Sequence, residues 1–305
     1  MFGISNLPPV RNGKFLRLLG GVSSTAGLLT SWAVPKSASM LFMMCVGGGG
    51  GGGGGLSGAA GTARGGGGGG GSGAISRLLI PAGFLPRILK LQPGEGGPGS
   101  VTAGLNGRRS AISGPASNSN FAADRILTSH GNSTAAGVGG TAGTAGGSNT
   151  GGVGEAAGVA SDHIGAQLGL FAFVAGQTGS ASGGIGSPGV ALQYSASGLF
   201  ISGGTGGGSA SNNADVAGGA ITGSAVVPTL AGGLAGGGDG NSGYLLEGIP
   251  FMAIGGTGGG SNGVAGVGGR GGNSAIGGGG GGGGGGVTGG AGGDGGPGMI
   301  YIAWW

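Results

Sequence analysis

Three unbroken runs of glycine constrain this chain more than any other feature: residues 47–55, 65–71 and 277–286 are all glycine. Lacking a Cβ, glycine weakens both α-helix and β-sheet, and it loses more backbone freedom on ordering than any other residue. One ordered state remains open to such a run. An extended helix of the polyproline II type, with three residues per turn, rises about 3.1 Å per residue and makes no internal hydrogen bonds, so its N–H and C=O groups point outward. Glycine, unlike proline, keeps its N–H. Several such helices can therefore bond to one another side by side, with Cα–H contacts to carbonyls in support. Nine residues would span roughly 28 Å by that rise. Buried backbone groups must be paired, so a lattice of these helices is a self-consistent core made of hydrogen bonds. A flexible linker would not explain why the runs recur between apolar segments.

Composition removes the competing classes. Glycine supplies 96 of 305 residues, against 12 Pro and a charged fraction of 7%. Collagen needs Gly at every third position and far more Pro. Solubilised disorder needs high charge and low hydropathy, whereas mean hydropathy here is +0.29. The fold class expected is mainly irregular and all-β: packed polyglycine II helices with short β-strands at the ends and little or no α-helix.

Along the chain, residues 1–30 carry the basic trio Arg11, Lys14 and Arg17 with Phe15 among apolar patches, and read as an attachment segment. Residues 31–305 read as one glycine-rich domain. Strands are expected near 32–46, 75–91 and 299–305, with the polyglycine lattice between them. Pro35 separates a strand and turn from the apolar Met40–Val46, while Pro81-Ala82-Gly83 breaks the second region. The terminal strand 299–305 is the natural partner of Met40–Val46, since both adjoin glycine and both need a covered apolar face. From about residue 102 to 295, short inserts followed by Gly-Gly recur without a fixed period, which suggests a layered array.

Eleven of the twelve basic residues lie at or before Arg125 and six of the eight acids lie beyond it, giving +9 for residues 1–125 and −5 for the rest. The arginines are scattered, with Arg108-Arg109 the only pair and no aromatic platform between them, so a protein-docking or solvated face is expected and not nucleic acid. Cys45 is the only cysteine, which excludes an internal disulfide framework. Met40–Val46, the longest apolar stretch, has seven residues. A membrane helix needs roughly 20, so no membrane insertion is expected, and Gly20, Gly21 and the Ser-Ser-Thr run make a poor secretory signal.

Motifs for chemistry are sparse. Gly13-Lys14 is followed by Phe15 and not by Ser or Thr, so there is no P-loop. The single G-x-S-x-G around Ser261 is followed by GVAGVGG, which cannot build the helix of a nucleophile elbow. Asp162-His163 are adjacent and point apart on an extended chain. No catalytic residue, cofactor or metal is expected. Asp294, beside glycine, reads as a turn former that caps its own turn. The inserts hold the candidate contact residues: Asn118, Asn120, Tyr194 and Tyr244, the tyrosines combining an apolar ring with a polar tip.

SWAVPKSASMLFMMCVGGGGGGGGG resembles the opening of glycine-rich domains in bacteriophage tail-fibre and other virion proteins, where a Trp and a Val-Pro turn lead into an apolar strand ending in a long glycine run. GGDGGPGMIYIAWW is similar to that family's terminal signature. FLPRILKLQPGEGGPGS looks like its internal strand and turn, although Gln92-Pro93-Gly94 stands where Val-Gly is usual. The resemblance covers about residues 31–305 and extends in style to the adhesins at the tips of T-even-like phage fibres. It implies a non-enzymatic virion structural protein, a component of a tail fibre or fibre tip, that presents loops to a host surface receptor. Other virion proteins are the expected partners of the basic N-terminal part, and a homo-oligomer is expected, threefold symmetry being carried from the class of phage fibres. The implied location is the virion, on the tail fibre or the capsid surface. A capsid-decorating or spike protein without a receptor role is one alternative, and an ice-binding protein is another.

Overall fold

The chain's few large apolar residues are spent on strands, and the glycines leave those strands directly. The computed structural model describes residues 14–25, 27–115, 125–129, 137–144, 149–152, 169–193, 201–223, 227–246, 252–264 and 266–305. Among them there is no α-helix, only a 3-10 turn at Ala82–Phe84. Five strands, β1 (Lys14–Leu19), β3 (Met40–Val46), β4 (Ile75–Pro81), β8 (Leu170–Val174) and β13 (Met299–Trp304), form an antiparallel sheet in the order β1-β13-β3-β4-β8. A second antiparallel sheet has the order β2-β5-β6-β7, from β2 (Thr30–Ala33), β5 (Ile88–Gln92), β6 (Ala111–Ser113) and β7 (Arg125–Thr128). Two small pairs complete the set: parallel β9 (Leu192–Gln193) with β10 (Ile221–Thr222), and antiparallel β11 (Leu245–Leu246) with β12 (Met252–Ala253).

The terminal strand does pair with the apolar run, Met299 opposite Val46 through Trp304 opposite Leu41. Only one covered face was expected for β3, and the structure covers both. Leu41, Met43 and Cys45 join Leu78, Ile80, Ile300 and Ile302 against Leu89, Leu91, Ile112 and Leu127 of the four-stranded sheet. Phe42, Met44 and Val46 point the other way, onto Ile201, Ile221, Val227, Met252 and Ile254. A strand buried on both faces reads as a continuous apolar run and not as an alternation, which is why MLFMMCV has no polar residue. The strands flanking Pro35 are not partners either: β2 and β3 lie in different sheets, as do β4 and β5, so each proline turn carries the chain from one layer to the other.

The glycine run that leaves β3 is buried throughout and bonds outward with a repeat of three. Gly48, Gly51 and Gly54 donate to the carbonyls of Arg108, Leu105 and Thr102 at 2.8, 2.9 and 2.6 Å. Gly49, Gly52 and Gly55 donate to Gly296, Gly293 and Gly290 at 2.9, 2.9 and 2.8 Å, and Gly50, Gly53 and Leu56 to Gly71, Gly68 and Gly65 at 2.9, 2.9 and 2.8 Å. Acceptor numbers fall by three as donor numbers rise by three, so these neighbours run antiparallel. The carbonyls of the same run accept from three other segments: Gly137, Gly140 and Gly143; Gly97 and Ser100; and Gly280, Gly283 and Gly286. Those numbers rise together, so these neighbours run parallel. Six segments thus surround one glycine run, and nearly every amide finds a partner, as burial demands.

No side chain could stand along this run. A Cβ added to Gly53 would lie 2.1 Å from the Thr141 carbonyl oxygen, and one on Gly52 would lie 1.9 Å from that of Gly281. Small hydroxyl residues substitute for glycine where a carbonyl does not reach a neighbouring amide. Ser202 and Thr205, three apart, accept from the N–H of Gly255 and Gly258 at 2.7 and 2.9 Å. Thr257 does the same for Asn241 at 2.7 Å.

Candidate functional site

Lys14, Phe15 and Arg17 lie on β1, the edge strand of the larger sheet, so this part of the expected attachment segment is built into the body of the molecule. Alternation along the strand sends Leu16 and Leu18 inward against the core shared by the two sheets. Phe15, on the opposite face, is 68% exposed and stacks on Tyr301 with ring centroids 5.8 Å apart. One side of β1 is bonded to β13 and the other side has no partner strand among the described residues. An edge strand with two cations and an exposed aromatic can take a further strand from a partner, and the cations also guard it against indiscriminate pairing. Arg11 lies outside the described residues.

Of the four candidate contact residues, Asn118, Asn120 and Tyr194 also lie outside the described residues. Tyr244 is half-buried, packs against the cluster that includes Ile254, and its carbonyl accepts the Ile254 N–H at 2.9 Å. Its hydroxyl is enclosed and has no hydrogen-bond partner among the described residues. Burial pushes this phenol's pKa above its ordinary value, because the charged form would lose its hydration. Tyr244 therefore sits where the glycine segments meet the sheets, and its ring serves packing.

At the end of the glycine segments remote from the sheets, turns close successive up and down passes. Gly236 and Gly237 both have φ +90°, a backbone that side chains rarely adopt, and they turn the chain within three residues. Beneath these turns lies Arg64, fully buried, whose guanidinium donates to the carbonyls of Gly263 and Gly58. The Asp215 carboxylate accepts the N–H of Gly263. Arg64 and Asp215 therefore hold one turn through the carbonyl and the N–H of Gly263, and the buried guanidinium has two backbone carbonyls as partners while its Nε has none among the described residues. Nothing in the sequence marked Arg64 out from the other scattered arginines; only its position directly before a glycine run signalled that it would be drawn inside.

Ser261, centre of the G-x-S-x-G match, is fully buried and exchanges hydrogen bonds with the Val216 backbone, accepting at 2.9 Å and donating at 3.3 Å. It is a hydroxyl rung between two segments. Asp294 does not cap its own turn as expected. Its Oδ1 accepts the Gly99 N–H at 2.8 Å, across nearly two hundred residues of sequence, and its other oxygen lies 3.9 Å from Arg270. Asn106 and Asn273 likewise accept the Gly139 and Asp294 amides, each at 2.9 Å. On outer segments these side chains take the place that another glycine segment would occupy inside, and so close the lattice edge.

No protein-family model and no curated protein matches this chain.

Proposed function

We propose that the chain is a non-enzymatic bacteriophage virion protein, a component of a tail fibre or fibre tip, whose glycine runs are polyglycine II helices packed into a rigid body that holds loops toward a host surface receptor. The observation that carries this is the three-residue rotation of hydrogen bonds along residues 48–56, each successive amide turning to a different neighbour. That rotation is what a helix with three residues per turn requires, and a body cross-linked in this way can transmit position without a thick apolar core. The resemblance of the two ends of residues 31–305 to glycine-rich virion domains supplies the setting. The exposed edge of β1, with Lys14, Phe15 and Arg17, suits docking onto another virion protein, and the inserts carrying Asn118, Asn120 and Tyr194 are the candidate contacts with the host.

Antibody labelling of purified particles, followed by adsorption with the soluble chain as competitor, tests this. Label at the tail together with blocked adsorption is the expected outcome. Label on the head without effect on adsorption would make the chain a capsid decoration, and absence from particles would remove the viral assignment.

A further inference from the structure

Outer segments of the glycine body leave a polar groove, of about 190 Å³, between residues 239–242 and 270–273. The two segments run side by side in the same direction, Gly240 donating to the Arg270 carbonyl at 2.8 Å and Gly243 to that of Asn273 at 2.7 Å. Their inner sides are committed: Gly269 and Gly272 donate to Gly260 and Thr257, and Thr257 donates to Asn241. On the outward side no further segment bonds to them among the described residues.

From this arrangement the geometry points to a saccharide-binding subsite that takes a single neutral pyranose ring. The floor is the backbone of Gly240, Gly271 and Gly272, and the side chains stand at the rim. Its rim is Asp239, Ser242, Arg270 and Asn273, all exposed. Together they offer a carboxylate acceptor, a guanidinium donor, and an amide and a hydroxyl that each donate and accept. Vicinal sugar hydroxyls, every one both donor and acceptor, match that set. The Ser242 hydroxyl and the Asn273 amide nitrogen make no hydrogen bond with described residues, so both are open to a ligand. Among the described residues the rim has no aliphatic or aromatic wall for an apolar ligand. The Arg270 guanidinium lies 3.9 Å from the Asp294 carboxylate, and the Asp239 carboxylate stands on the same rim, so the groove offers no net positive charge for a phosphate. A groove of about 190 Å³ is sized for one ring and not for a whole oligomer.

The competing occupant is another extended glycine-rich chain, completing the lattice. Asp239 argues against it. Its Oδ1 already accepts the Arg270 N–H at 2.7 Å, the outward donor such a chain would need, and the side chains of Arg270 and Asn273 stand in its path.

The biological setting rests on the proposed host-contact role, but occupancy of the groove is tested on the isolated full chain. In amide NMR spectra titrated with the methyl pyranosides of mannose, glucose, galactose and rhamnose, at least one should shift the amides of 239–243 and 270–274, with a Kd on the order of 1 mM. Asn273→Ala should weaken that binding about tenfold. Ser242→Ala, which removes no hydrogen bond of the fold, should weaken it severalfold and covers the case in which Asn273→Ala fails to fold. No shift of these amides with any pyranoside, or unchanged affinity in Ser242→Ala, overturns the proposal. Shifts with a Gly-Gly-Ser repeat peptide and none with sugars overturn it in favour of an open lattice position. Groove binding without competition for adsorption would sink the host-contact role and leave the subsite standing, and blocked adsorption without groove binding would do the reverse.

Discussion

At the scale of single residues, what surrounds a glycine decides what it tolerates. Gly53 is enclosed by backbone: its added Cβ would meet the Thr141 oxygen at 2.1 Å and the Thr141 carbonyl carbon at 2.5 Å, atoms that cannot swing aside as a side-chain tip can. Gly83, in the 3-10 turn after β4, has nothing within 4 Å of the same position. Gly53→Ala is expected to cost about 3 kcal/mol or more, since it forces two hydrogen-bonded segments apart, and to lower the melting temperature by on the order of 5 °C in a chain of this length. Gly83→Ala, by contrast, should be neutral or stabilise by about 0.5 kcal/mol, because it restricts the unfolded chain without strain in the folded one. Thermal melts of the two variants measure the difference, and equal effects would mean that the interior of the glycine body yields. Titration gives a second residue-level expectation. Tyr301 lies between Phe15 and Phe42, and burial raises its pKa above 10.0. The folded state favours the neutral phenol, so this stabilisation is complete below pH 10 and lost as pH climbs through the folded-state value. Tyr244 shifts in the same direction. Denaturation midpoints should therefore fall above pH 10 in the parent chain, and fall less in Tyr301→Phe.

At the scale of elements, β3 behaves unlike an ordinary strand because it has no solvent face. Met43 is 0% exposed and Met44 is 1% exposed, although they point in opposite directions. Met43→Ala and Met44→Ala should each cost about 2–5 kcal/mol, whereas in β1 Phe15→Ala, whose ring is mostly exposed, should cost less than about 1.5 kcal/mol. Denaturant unfolding of the three variants checks the contrast. The same strands show what the sequence could reveal. Pairing of Met40–Val46 with the terminal strand was legible, since two apolar segments bordered by glycine have few other ways to cover themselves. Their division between two sheets was not, because a proline turn looks alike whether it folds a hairpin or crosses between layers. The burial of glycine runs followed from their want of any other ordered state. Which segments surround each run did not follow, because glycines carry no side chain by which one neighbour could be told from another. Arg64 and the hydroxyl rungs Ser202, Thr205 and Thr257 were hidden for a related reason: a lattice of amides offers buried polar side chains backbone partners, so polarity ceased to mark the surface.

For the whole molecule, two kinds of core meet end to end, and they respond differently to temperature. The sheets bury Leu, Ile, Met and Phe on both sides of β3. The glycine body buries peptide groups bonded to one another. Apolar surface exposed on unfolding raises heat capacity by about 0.45 cal/mol/K per Å², whereas polar surface lowers it by about 0.26. A chain in which much of the interior is backbone should therefore unfold with a heat-capacity change per residue below the usual range of about 12–15 cal/mol/K. Its stability curve should be flatter than that of an ordinary domain of equal length, with little weakening on cooling, because less of its stabilisation is hydrophobic. Both cores should nonetheless melt together. β3 passes into the first run at Gly47, and the segment bonded along residues 290–296 passes into β13 at Met299, so neither part can open without pulling register from the other. Calorimetry should show one transition with the reduced heat-capacity step, and hydrogen exchange should protect the Gly53 amide as strongly as that of Met43. Two separate transitions, or a fast-exchanging Gly53, would mean that the glycine segments are held only by the sheets and contribute no cooperative structure of their own.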